Sequence, residues 1–104
     1  MVYTDEVHEI LKSGTFDAWF SGLKDRQAKA RIAARIDRLS LGNPGDVKAV
    51  GSGVSEMRID YGPGYRVYFT QRGPIIILIL CAGDKRTQAA DIKRAIDIAG
   101  NWSG

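Results

Sequence analysis

Glu56, Arg58, Arg66, Tyr68 and Lys85 are the side chains of this sequence best suited to act on a phosphate. Arginine offers fork-shaped donors that match phosphate oxygens, and lysine adds a mobile point charge. A tyrosine beside them can stack on a base while its neighbours hold the backbone. RNA needs little more than this. Its 2′-hydroxyl is an internal nucleophile next to the scissile phosphate. A protein has only to orient it, stabilise the charge that develops, and move protons. Arg66 and Arg58 suit the second task, and Glu56, Tyr68 or Lys85 the third. Arg31, Arg35 and Arg38, with Arg86 further on, could extend the contact along a polyanion.

The elements that must position these residues are legible in VSEMRIDYGPGYRVYFTQRGPIIILILCAGDKR, which begins at Val54. Two alternating strands, over 54–61 and 65–71, join through Gly62-Pro63-Gly64, and a wholly apolar strand follows over 75–82. Met57, Ile59, Tyr61, Tyr65, Val67 and Phe69 form one face. Glu56, Arg58, Asp60, Arg66, Tyr68 and Thr70 form the other. Pairing Tyr61 with Tyr65 would set Ile59 against Val67, Met57 against Phe69, Arg58 against Tyr68 and Asp60 against Arg66. A one-residue slip would bury the arginines, so the apolar face fixes the register. The unbroken apolar run reads as the central strand, covered on both faces.

The flanking segments supply helices. A strand is expected over 7–12 and a short helix over 16–23, with Phe16, Trp19, Phe20 and Leu23 as its buried stripe. A second helix is expected over 25–41. Ala28, Ile32, Ile36 and Leu39 make its core stripe, Arg31, Arg35 and Arg38 a neighbouring one, and Gly42-Asn43-Pro44-Gly45 its stop. Val47-Lys48-Ala49-Val50 reads as a short strand or a loop. Asp84 or Thr87 can cap a last helix over 88–99, with Ile92, Ala95, Ile96 and Ala99 inward. This order predicts an α+β domain: a three-stranded antiparallel meander plus an N-terminal strand. The helices cover the Met57/Val67 face, and part of the opposite face stays open and polar.

Composition narrows the function classes. The chain has 104 residues, 44% of them hydrophobic, which fits one small globular domain. Net charge is +3 with a pI near 9.2, a mild bias toward polyanions. One cysteine, Cys81, ends the apolar strand as a small core residue and fits a reducing cytosol. The N-terminus, with Asp5 and Glu6, does not read as a signal peptide, and the apolar run is too short to span a bilayer. No histidine-cysteine cluster or carboxylate spacing suggests a metal, and the glycine turns do not open a helix as a phosphate loop would. No cofactor is expected. The lone histidine, His8, reads as a surface or strand-edge residue.

Two stretches carry a resemblance. They are Ser55-Glu56-Met57-Arg58-Ile59-Asp60-Tyr61-Gly62-Pro63-Gly64-Tyr65-Arg66-Val67-Tyr68-Phe69 and Leu80-Cys81-Ala82-Gly83-Asp84-Lys85-Arg86-Thr87-Gln88. With Gly22-Leu23-Lys24-Asp25-Arg26-Gln27-Ala28 and Ala34-Arg35-Ile36-Asp37-Arg38-Leu39, they resemble the RelE/ParE toxin superfamily, in its branch of phage-derived HigB-like addiction-module killer proteins. The likeness runs over 16–99 in one register. It implies a compact RelE-like domain and a type II toxin of a toxin–antitoxin pair, acting in the cytoplasm. RelE-type relatives are metal-independent endoribonucleases that cut mRNA on the ribosome, and ParE-type relatives inhibit DNA gyrase. Arg66 matches the position that acts in the nucleases, and Lys85 lies near another of their basic or histidine positions. The tail Gly100-Asn101-Trp102-Ser103-Gly104 departs from them, lacking the histidine or tyrosine that several carry there. The implied partner is a small antitoxin of helix-turn-helix type that neutralises the basic surface.

Overall fold

The computed structural model describes residues 7–102; the acidic N-terminal Asp5 and Glu6 and the terminal Ser103-Gly104 lie outside them. The chain order is β1 (Glu9–Lys12), α1 (Gly14–Gly22), α2 (Arg26–Ser40), β2 (Val47–Gly51), β3 (Val54–Ile59), β4 (Tyr65–Arg72), β5 (Ile76–Asp84), a 3₁₀ turn (Lys85–Thr87) and α3 (Gln88–Asn101). The strands form one five-stranded sheet in the order β1-β5-β4-β3-β2. β2 through β5 are antiparallel neighbours, and β1 runs parallel to β5. This is the expected α+β class, with the segment after α2 resolved as a true edge strand. β4, not β5, is the middle strand. β5 is nonetheless paired on both sides and buried along most of its length.

Local sequence explains the element ends. Ser13 caps α1, its Oγ accepting from the Phe16 amide at 2.9 Å while donating to the Leu80 carbonyl. Asp25 caps α2 by accepting from the Gln27 and Ala28 amides. The Ala28 amide bond, then the Tyr61 hydroxyl, holds the Asp25 carboxyl below its usual pKa. The β2–β3 hairpin turns at Ser52-Gly53, both at positive φ (53° and 78°), as a two-residue turn of this hand requires. Asp84 caps the 3₁₀ turn through the Arg86 amide, whereas Thr87 makes no side-chain cap bond to α3.

Two apolar cores lie on opposite faces of the sheet. One packs Phe16, Ala28, Ile32, Ile36 and Leu39 of α1 and α2 against Met57, Ile59, Val67, Phe69 and Ile79. The other packs Ala95 and Ala99 of α3 against Val54, Tyr68, Leu78, Leu80 and Cys81. A bulge opposite Tyr68 and Phe69 explains why the consecutive Leu80 and Cys81 belong to the same core. The expectation that all helices share the Met57/Val67 face is therefore corrected. α3 covers the opposite face, because β5 is apolar on both sides and needs a cover on each.

The β3–β4 register is also corrected. Ile59 pairs with Tyr65, Met57 with Val67, Glu56 with Tyr68 and Arg58 with Arg66. The slip from the expected pairing is two residues, so every side chain keeps its face. The cause lies in the turn. Tyr61 leaves the sheet, and its hydroxyl donates to Asp25 Oδ2 at 3.0 Å while Arg31 stacks on its ring at 4.7 Å. The Gly64 amide then closes the turn on the Tyr61 carbonyl.

Candidate functional site

α3 covers the second face over Val54, Tyr68 and the β5 residues Leu78, Leu80 and Cys81. Beyond its first turn the face opens at Arg58 and Arg66, which lie directly opposite each other on β3 and β4. A cleft of about 400 Å³ forms there, lined by Asp46, Arg58, Asp60, Tyr65, Arg66 and Lys85. The sheet supplies the two arginines, the 3₁₀ turn supplies Lys85, and the loop before β2 supplies Asp46. Like charges in direct cross-strand register repel. Here each arginine has its own carboxylate: Arg58 Nη2 bonds Asp46 Oδ1 at 2.9 Å, and Arg66 Nε lies 3.6 Å from Glu56 Oε2.

The two pairs differ in kind. Arg58 and Asp46 are 39% and 61% exposed, so their attraction is weak and screened by salt. Arg66 is 13% exposed and Glu56 1%. The Arg66 Nε and Nη1 donors are buried without an acceptor among the described residues. At 3.6 Å the Arg66–Glu56 contact is an ion pair without a true hydrogen bond. The guanidinium is held by charge, and its Nη2, neither buried nor hydrogen-bonded among the described residues, is the donor open to an incoming anion. Lys85 is exposed at the cleft rim and makes no ion pair among the described residues.

Glu56 and Tyr68 do not stand beside the arginines as exposed groups. Both residues are fully buried, and the Tyr68 hydroxyl donates to Glu56 Oε2 at 3.0 Å. Burial first, and that bond second, push the Tyr68 phenol well above its ordinary pKa. The expectation of an exposed tyrosine for base stacking is corrected. α3 packs over that ring, because an aromatic body with a satisfied hydroxyl is stable in a core.

The expected RNA-binding arginines fall in three situations. Arg31 and Arg38 are exposed on α2 and line a second groove of about 350 Å³ with Asp60. Ile59 and Asp60 border both hollows, so groove and cleft flank the β3–β4 turn. Arg35 is tied into the fold. Its Nη1 donates to the Arg58 carbonyl at 2.8 Å and its Nη2 to the Pro44 carbonyl at 2.9 Å. Burial lowers its pKa, yet an arginine keeps its charge at any physiological pH. Arg86 is exposed but pairs with Asp84 at 3.0 Å, which stabilises its charge and holds the Asp84 carboxyl below its usual range.

Sequence reasoning missed three residues of this site. Asp46 lies in an aperiodic stretch and offered no signal. Gln88, the first residue of α3, donates its Nε2 to Glu56 Oε2 at 2.8 Å. Gly83 pairs with Arg66 on β5, and a Cβ there would fall 2.0 Å from Asp91 Oδ2. A glycine ending an apolar strand was a readable sign of such close approach.

Residues 18–101 match the family described as Phage derived protein Gp49-like (DUF891). The chain is also similar to an uncharacterized protein of Haemophilus influenzae, 54% identical over 81 residues, which span 78% of this chain and 82% of that one.

Proposed function

The chain belongs to the phage-derived Gp49-like family, a RelE-like toxin family, and from this premise we propose that it is the toxin of a type II toxin–antitoxin pair. Its activity is metal-independent cleavage of mRNA on the ribosome, in the cytoplasm. The observation that carries this reading is the Arg58/Arg66/Lys85 cleft, with Arg66 held there by charge and its Nη2 left without a partner among the described residues. Arg66 contacts the scissile phosphate and stabilises the charge that develops on it. Arg58 gives up its screened pair with Asp46 to join it, and Lys85 assists from the rim. Glu56 and Tyr68 serve from beneath the cleft. Arg31 and Arg38 continue the positive surface along the RNA, with Arg86 on the far side. The partner is a small helix-turn-helix antitoxin whose acidic segment covers these charges.

A second reading has its own support. The carboxylate and phenol best suited to proton transfer are buried. A cleft of arginines alone can bind a large target such as DNA gyrase without chemistry, as ParE-type relatives do. One experiment separates the readings: induced expression with and without the adjacent small gene, following protein synthesis, mRNA ends on ribosomes, and DNA supercoiling. The nuclease reading expects growth arrest, early loss of translation and new mRNA ends, all relieved by the partner. Lost supercoiling with intact translation selects gyrase. Unimpaired growth at confirmed expression overturns both.

A further inference from the structure

Beneath the cleft, Glu56 is a junction between the sheet and α3. Its Oε2 accepts from the Tyr68 hydroxyl at 3.0 Å and from Gln88 Nε2 at 2.8 Å, and it faces Arg66 Nε at 3.6 Å. Two of these contacts are hydrogen bonds that fix the direction of the carboxylate. The third is Coulombic and takes its direction from the first two. Without it, Arg66 would face Arg58 across the strand pair with no carboxylate of its own, and would swing away from its buried place.

Gln88 is placed by α3 itself. The Thr87 hydroxyl donates to Asp91 Oδ2 at 2.6 Å, Asp91 is buried, and Gly83 has no Cβ to push this first turn off β5. The docking of α3 thereby delivers an amide to the carboxylate that holds Arg66.

We infer that Gln88 is a positioning residue for Arg66, acting through Glu56, so that the first turn of α3 presets the guanidinium for its anion. Glu56 then anchors and does not exchange protons with substrate. The inference rests on the reading of Arg66 as the phosphate-contacting residue, and deepens it. A preset donor stabilises charge without reorganising at the moment of reaction. Displacing such a group by about 1 Å costs on the order of a hundredfold in rate.

The test reads Arg66 directly. In ¹⁵N-labelled protein, the Arg66 Nε–H resonance of wild type is compared with those of Gln88→Ala, Glu56→Gln and the double variant. The expected result is a shift toward the position of exposed arginines, with faster solvent exchange, in Gln88→Ala. The double variant should move no further than Glu56→Gln alone. Gln88→Asn, one methylene too short to reach Glu56, serves if Gln88→Ala does not fold. Cleavage on translating ribosomes should lose roughly tenfold to a hundredfold in kcat with little change in KM. An Arg66 resonance unmoved by loss of the Gln88 amide overturns the inference, as does a kcat loss equally large in the Glu56→Gln background. If wild type cuts no RNA, the functional reading fails while the resonance still decides the coupling.

Discussion

Arg58 and Arg66 face each other across β3 and β4, and each is balanced by a carboxylate of opposite character: exposed Asp46 for the first, buried Glu56 for the second. The arrangement divides labour. A screened pair exchanges partners easily and costs little to break. A buried pair holds its arginine in place, and breaking it strands a charge away from water.

Arg66→Ala should therefore abolish RNA cleavage and also cost stability. Glu56 would lose its counter-charge but keep the Tyr68 and Gln88 donors, and the repulsion with Arg58 would vanish. We expect a loss of about 2 kcal/mol in folding stability, below the roughly 3–5 kcal/mol of a wholly uncompensated buried charge. Arg66→Lys should recover much of the stability and only part of the activity, because a point charge cannot make a bidentate contact. Urea melts beside cleavage on translating ribosomes measure both. A folded Arg66→Ala protein cutting at the wild-type rate removes this residue from the site.

The three α2 arginines should separate cleanly. Arg35→Ala leaves the Arg58 and Pro44 carbonyls without their donor and should cost about 2 kcal/mol of stability. Arg38→Ala removes an exposed charge and should change stability by less than about 0.5 kcal/mol. It should instead slow association with an acidic partner, most strongly at low salt. Stopped-flow association rates at two ionic strengths, beside thermal melts, check both arms. Equal stability losses for the two variants would contradict the assignment.

The contrast between Arg35 and Arg38 shows where the sequence stops informing. Helical spacing put all three arginines near one stripe. It cannot say that the loop ending α2 and strand β3 each offer Arg35 a carbonyl, from Pro44 and Arg58. Strand faces were legible because alternation is a local property, and the buried set Met57, Ile59, Val67 and Phe69 followed from it. The register was not, since a two-residue slip preserves faces and was decided by the bonds Tyr61 makes to α2. Arg66 was readable as a strand residue beside the turn. The burial of Glu56 and Tyr68 was not, because it depends on which face α3 covers. The apolarity of β5 on both sides was the one available sign.

Stability should fall on the alkaline side in two identifiable steps. Burial pushes the Cys81 thiol from its usual value of about 9 up to about 12. Burial and the Glu56 bond raise the Tyr68 phenol above its usual 10. In both cases the native state keeps a proton that the unfolded chain releases. Stability is therefore full below about pH 9 and declines as pH climbs, first through Cys81 and then through Tyr68. Cys81→Ala should remove the first decline, and Tyr68→Phe should lessen the second, to which the raised phenols of Tyr61 and Tyr65 also contribute, at a cost near neutral pH of about 1 kcal/mol for the lost hydroxyl bond. Urea midpoints from pH 7 to 11 give the slopes. Identical slopes in wild type and Cys81→Ala would show that the thiol is not protected as its burial requires.

Among the described glycines, Gly83 should tolerate an added methyl least. The new Cβ would fall 2.0 Å from Asp91 Oδ2 and 2.8 Å from Thr87 Oγ1, so the first turn of α3 must move. Asp91 is buried and cannot swing into solvent without opening the helix start. Overpacking of this severity costs about 3 kcal/mol or more. It should also carry Gln88 away from Glu56, so activity should drop even where the protein remains folded. Gly100 in the same helix is the control. A Cβ there meets nothing within 4 Å, and Gly100→Ala should stabilise slightly, by about 0.5 kcal/mol. Thermal melts of the two variants decide the matter. A Gly83→Ala protein as stable as wild type would mean that α3 does not dock as closely on β5 as the Asp91 contact requires.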